Sequence, residues 1–180
     1  MIRLLALLAA LFVAAPAQAQ SDPQNTLVLE TTKGNVVIRL RNDIAPEHAN
    51  RIKQLARDGF YNNVPFHRVI PGFMAQTGDG DRGNGTGKSK YPNLKSEFSQ
   101  LPFKRGVIGM ARASDPNSAN CQFFITYADA PHLNGQYTVV GEVVSGMDNV
   151  DKIKKGGEHN NGTISGEPDK ILKARIETEA

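Results

Sequence analysis

Short apolar runs of period two, not long helical stretches, dominate this chain, and they leave few folds open. Leu27 and Leu29 alternate with Val28 and Glu30, while Val36, Ile38 and Leu40 alternate with Val37 and Arg39; Lys33-Gly34-Asn35 lies between the two runs. Successive strand side chains point to opposite faces, so two such runs joined by a glycine turn predict a β-hairpin. Further strands are expected within 66–76, broken at Pro71-Gly72, and over 106–113, 122–127 and 138–144. The run Ser114 to Asn120 is made of turn formers, and Asn134-Gly135 is a hairpin signal. A last strand is expected to place Leu172, Ala174 and Ile176 inward and Lys173, Arg175 and Glu177 outward.

Only two stretches have helical spacing. Ala49, Ile52, Leu55 and Ala56 share a face of a helix opened by Ala45-Pro46-Glu47, with Asp43 as its cap, Gly59 beyond its end and His48 on its surface. Met147, Val150 and Ile153 give a shorter second helix, stopped by Gly156-Gly157. Many short strands, two distant helices and no α/β alternation predict a mainly β fold, an antiparallel sheet closed into a barrel. At 180 residues and 39% hydrophobic, the chain suits one such domain.

Residues 1–19 read as an export signal. Arg3 supplies a positive charge, residues 4–15 are an unbroken apolar run, and Ala17-Gln18-Ala19 is an A-x-A cleavage site. The run is shorter than the roughly 20 residues that cross a bilayer, so no stable membrane anchor is expected. Residues 20–26 are expected to be a flexible lead-in, 27–178 the folded domain, and the periplasm the destination.

Several chemistries lack their residues. Cys121 is the sole cysteine, which rules out an internal disulfide, and a buried structural thiol is expected. The 21 basic and 18 acidic side chains are dispersed, only Lys152, Lys154 and Lys155 approaching a cluster, so no nucleic-acid partner is expected. Gly78, Gly80 and Gly83 satisfy G-x-G-x-x-G, but no amphipathic helix follows to offer its N-terminus to a phosphate. Gly87-Lys88-Ser89 fails as a P-loop because Arg82 stands where the first glycine is required. A long glycine-rich surface loop is the expected structure. There is no G-x-S-x-G or H-E-x-x-H, and His48, His67, His132 and His159 are scattered, so neither metal nor cofactor is expected.

The stretch Phe66-His67-Arg68-Val69-Ile70-Pro71-Gly72-Phe73-Met74-Ala75-Gln76 breaks the packing pattern, because it puts a guanidinium and a carboxamide into an apolar run. Such groups are costly to bury without partners, so the stretch reads as a binding wall. It resembles, almost residue for residue, the signature of the cyclophilin-type peptidyl-prolyl cis-trans isomerases. Gln122-Phe123-Phe124-Ile125 matches a second block, Gly83-Asn84-Gly85-Thr86-Gly87 is similar to a family loop, and the resemblance runs over roughly 27–176.

The resemblance implies a closed eight-stranded antiparallel barrel with two capping helices. It implies that Arg68 is catalytic, that Gln76 holds the substrate backbone, and that Phe73, Met74, Phe124 and Leu133 line the proline pocket. Ala111, Arg112, Ala113 and Gln122 would border the groove for the preceding residues. Arg112 stands where many members have asparagine, Tyr137 where a pocket histidine is common, and His132 where drug-sensitive members carry tryptophan, which implies weak cyclosporin binding. The expected partners are proline-containing peptides and unfolded exported proteins, with the chain itself a monomer. A non-catalytic peptide-binding or holdase module on the same fold is the alternative.

Proline isomerisation needs no nucleophile and so fits a chain in which no motif signals an activated one. The barrier is roughly 18–20 kcal/mol because twisting destroys amide conjugation, and the uncatalysed change takes tens to hundreds of seconds. A thousandfold acceleration requires roughly 4 kcal/mol. Hydrogen bonds from a charged group contribute about 1.5–3 kcal/mol each, so one well-placed guanidinium in a dry pocket covers most of the requirement.

Overall fold

The computed structural model describes residues 22–179; the expected export signal and the start of the lead-in lie outside the described residues. Asp22 to Asn25 form a short turn whose Asp22 carbonyl accepts from Thr26 Oγ1 at 2.8 Å. β1 (Thr26–Thr31) and β2 (Gly34–Leu40) then pair antiparallel, with Thr31 opposite Gly34. Thr31 Oγ1 donates to the Gly34 carbonyl (2.7 Å) and accepts from Lys33 N–H (3.1 Å), which locks the turn. Gly34 sits at φ +114°, a conformation closed to side chains.

The remaining strands are β3 (Val64–Pro65), β4 (Arg68–Ile70), β5 (Met74–Thr77), β6 (Val107–Met110), β7 (Phe123–Thr126), β8 (Val139–Ser145) and β9 (Lys170–Ile176). They form one antiparallel sheet in the order β3-β9-β1-β2-β8-β6-β7-β5-β4. Its edge strands β3 and β4 are consecutive in the chain, with only Phe66 and His67 between them. Among the described residues the expected eight-stranded antiparallel barrel is realised as a curled sheet of nine strands, with β3 and β4 at its two edges. The break falls where the chain changes partner: Pro65 pairs with Lys170, Arg68 with Gln76.

Four local expectations are corrected. Asp43 does not cap α1 (Pro46–Arg57); its carboxylate pairs with Arg41 at 2.7 Å, and the helix N-cap is Ala45 without a side-chain cap. The free amides of Glu47 and His48 are taken instead by the Glu97 carboxylate, at 3.2 and 3.0 Å. His48 is not on the surface but 0% exposed, because it lies four and seven residues before Ile52 and Leu55 on the buried face. Leu172 faces outward, 47% exposed, because the β1–β9 register shifts between Glu30 and Thr31 and it becomes the extra residue of a bulge. Asn134-Gly135 is a turn but not a hairpin turn, since β6 lies between β7 and β8.

Two apolar clusters result. The larger gathers Leu27, Leu29, Val36 and Ile38 with Ile52 and Leu55 of α1 and Val150 of α2 (Met147–Asp151). The smaller is built on Met74, Phe103, Phe124, Leu133 and Val139, with Phe73 and Tyr137 half-buried at its margin. Full burial of such side chains is worth about 1.5–3 kcal/mol each. The smaller cluster leaves part of its surface open, and the candidate site is there.

Candidate active site

The site begins as cross-strand register. Arg68 of β4 pairs with Gln76 of β5, and Gln76 pairs on its other side with Phe124 of β7. Directly opposed residues share a sheet face, so guanidinium, carboxamide and aromatic ring form one row across three strands. Gly109 stands opposite Phe124 on the next strand. A Cβ there would lie 2.3 Å from Phe124 Cζ, so the missing side chain is what lets that ring stack on Phe103 at 5.8 Å.

Above this row lies a cleft of about 620 Å³. Phe73, Met74, Phe124 and Leu133 supply its apolar lining, with Arg68 and Gln76 on its polar side. Tyr137 meets Phe124 edge-on at 5.8 Å, and His132 tilts against Phe73 at 5.2 Å. A smaller depression of about 250 Å³ continues from the cleft, sharing Gln76, Ala111 and Arg112 and adding Ala113 and Gln122. All the residues singled out from the sequence therefore line one continuous concavity. The strand expected over 106–113 ends at Met110, and it is the residues freed from the ladder, Ala111 to Ala113, that border this groove.

The two cations differ in what they have left to give. Arg68 donates from Nε to the Asn161 carbonyl (3.0 Å), from Nη2 to Asn161 Oδ1 (2.7 Å) and from Nη1 to Gln76 Oε1 (3.1 Å). A guanidinium has five N–H donors, so two remain in a side chain that borders the cleft. Burial lowers its pKa, but an arginine begins so high that it stays charged. Arg112 lies over the Tyr137 ring at 4.5 Å and donates to the carbonyls of Ala113, Ser114 and Gln136. Its charge is thus fixed beside the groove.

Nothing in the sequence marks Asn161 as a partner of Arg68, although Asn160-Asn161-Gly162 is a turn signal. It takes the left-handed conformation at φ +57°, which asparagine tolerates. Its loop is clamped to β4 by Val69 N–H to the Gly162 carbonyl (2.7 Å) and Gly156 N–H to the Val69 carbonyl (2.9 Å). His67, Asn84, Gly85 and Thr163 also line the cleft without having been singled out. Burial lowers the His67 pKa, favouring the neutral ring. Cys121 is 1% exposed, and burial pushes its thiol up to about 11, which leaves it without nucleophilic character at neutral pH.

The family described as cyclophilin type peptidyl-prolyl cis-trans isomerase/CLD matches residues 26–176. A probable peptidyl-prolyl cis-trans isomerase of Brucella suis is 57% identical over 189 residues, covering 97% of this chain and 96% of its own. A peptidyl-prolyl cis-trans isomerase of Acinetobacter baylyi is 40% identical, covering 86% and 87%. Among solved structures, a cyclophilin from Hirschia baltica superposes with a TM-score of 0.78 at 27% identity, over 88% of this chain and 76% of that one. A Cryptosporidium parvum cyclophilin-type isomerase, crystallised in the presence of the dipeptide Ala-Pro, gives 0.75 at 28% identity, over 84% and 98%.

Proposed function

The chain belongs to the cyclophilin-type peptidyl-prolyl cis-trans isomerases, and from that premise we propose that Arg68 drives the rotation, acting on proline-containing segments of exported proteins. The observation that carries this reading is the state of the Arg68 guanidinium: three of its N–H groups are anchored and two are unspent, beside an apolar cleft. In a planar X–Pro amide the nitrogen lone pair is delocalised. As the bond twists, the lone pair localises and accepts a hydrogen bond that the planar form cannot, so an unspent Arg68 N–H binds the transition state selectively. The anchors hold the guanidinium still, which reduces the reorganisation needed at that moment.

The proline ring would occupy the apolar part of the cleft, between Phe73, Met74, Phe124 and Leu133. Gln76 Nε2 uses one hydrogen on Gln122 Oε1 (3.0 Å) and keeps one for a peptide carbonyl of the substrate. Both Nε2 hydrogens of Gln122 are used, on the carbonyls of Gly85 (3.0 Å) and Gly87 (3.1 Å), so Gln122 serves as a link in the wall. Ala111, Arg112 and Ala113 would border the residues before the proline. Export to the periplasm is supported by residues 1–19 of the sequence, and cell fractionation with mass determination of the mature N-terminus tests it.

NMR exchange spectroscopy on a short Ala-Pro peptide tests the mechanism. The mature protein accelerates the exchange and Arg68→Ala loses about a hundredfold of that acceleration, the scale of one to two charge-assisted hydrogen bonds. An undiminished rate in Arg68→Ala would refute this role, and binding without acceleration by the wild type would make the protein a peptide-binding module.

A further inference from the structure

The glycine-rich loop that imitates a phosphate site carries its own anion. Asp79 is 1% exposed, and its carboxylate accepts backbone N–H groups from Asp81 (3.2 Å) and Arg82 (2.9 Å) on Oδ1 and from Asn84 (3.2 Å), Gly85 (2.8 Å) and Gly87 (3.0 Å) on Oδ2. A Cβ on Gly87 would lie 2.0 Å from Asp79 Oδ1, so the loop closes this tightly only with glycine there. Burial raises the carboxyl pKa, but the convergent amides outweigh it and leave the group at about 2.

Two residues bound to Oδ2 have a second connection. The carbonyls of Gly85 and Gly87 take both amide hydrogens of Gln122; Gln122 Oε1 accepts from Gln76 Nε2, and Gln76 Oε1 accepts from Arg68 Nη1. The direction of this chain is forced from both ends. Backbone carbonyls only accept, so Gln122 must turn its NH₂ toward the loop and its oxygen toward Gln76. A guanidinium only donates, so Gln76 must turn its oxygen toward Arg68. Were the loop to open, Gln122 would lose the two acceptors that set its orientation, and the Gln76 amide would be free to flip and face the guanidinium with N–H groups.

We propose that Asp79 is a positioning residue for the isomerisation: by holding the loop closed it fixes Gly85 and Gly87, and through Gln122 and Gln76 it fixes the orientation of the Arg68 guanidinium. This rests on the assignment of the reaction to Arg68 made above. The segment from Gly78 to Gly87 then serves the reaction through the residues it positions, and its likeness to a nucleotide loop reflects the same physics, backbone amides converging on an anion.

The test compares Asp79→Asn, Gln122→Met, their double variant, Arg68→Ala and wild type by kcat and KM on the Ala-Pro peptide, with circular dichroism as the check on folding. Asp79→Asn is expected to lower kcat about tenfold with KM within about twofold, and the double variant to be no slower than Gln122→Met, because the chain is already cut. Unchanged kcat in Asp79→Asn, or losses that multiply in the double variant, would overturn the proposal. If Arg68→Ala keeps the wild-type rate, the assignment to Arg68 falls; if Arg68→Ala is slow and Asp79→Asn is not, only the positioning role falls. Should Asp79→Asn not fold, Gln122→Met decides: a reduced kcat with wild-type amide protection at Gly85 and Gly87 supports the chain, and an unchanged kcat overturns it.

Discussion

Glu97→Ala is expected to destabilise the protein severely while leaving its chemistry intact. The Glu97 carboxylate reaches α1 from the long connection between β5 and β6 and holds three donors: Glu47 N–H, His48 N–H and His48 Nδ1, the last at 2.6 Å. Pro46 has no N–H, so Glu97 satisfies the first two amides that the helix exposes. Removing a cap costs about 1 kcal/mol. Leaving a buried donor unpaired costs about 1–3 kcal/mol more, and the His48 ring has no second resource, because it is 0% exposed and Nε2 is already without a partner. The sum is about 2–4 kcal/mol, and at about 2–4 °C per kcal/mol for a domain of this size the midpoint falls roughly 5–15 °C. Thermal unfolding followed by circular dichroism at neutral pH measures it, with kcat/KM in the cold expected within about twofold of wild type because Glu97 does not line the cleft. A midpoint within about 2 °C of wild type would show that Glu97 contributes only what a surface ion pair does, and would refute its role as cap and buried acceptor.

Asn161→Gly keeps the left-handed backbone and the carbonyl to Arg68 Nε but deletes the Oδ1 acceptor, so kcat is expected to drop about three- to tenfold with KM little changed. An unaltered kcat would mean that the remaining anchors suffice. Stability is expected to decline as pH falls, in two stages. Burial, only partly offset by Glu97 and Asp79 respectively, lowers the pKa of His48 and His67 below 6.5, so their contribution is complete above 6.5 and is lost as pH drops through that window. Asp79 binds its proton at about 2 in the fold against 3.8 unperturbed, so about 2 kcal/mol present above 3.8 is lost as pH approaches 2. Urea unfolding at about pH 7.5, 5.5 and 3 measures both stages, and a midpoint at 5.5 equal to or above that at 7.5 would contradict the first.

The sequence by itself determined what is local. Period-two apolarity set the β1–β2 hairpin, helical spacing set the apolar face of α1, and the concentration of unlike side chains in 66–76 identified the wall that carries Arg68 and Gln76. Tertiary structure decided which distant groups satisfy the polar atoms. Asn161 reaches Arg68 across 93 positions, Glu97 reaches His48 across 49, and Gln122 reaches Gln76 across 46. No periodicity encodes such pairs, because a buried donor requires an acceptor wherever the fold brings one. The outward turn of Leu172 has a similar origin, in a single-residue slip against β1 that its own alternation does not record. Where the apolar groups go was legible in the chain; how the buried polar groups are held, and hence how the guanidinium of Arg68 is held, required the curled sheet and its loops.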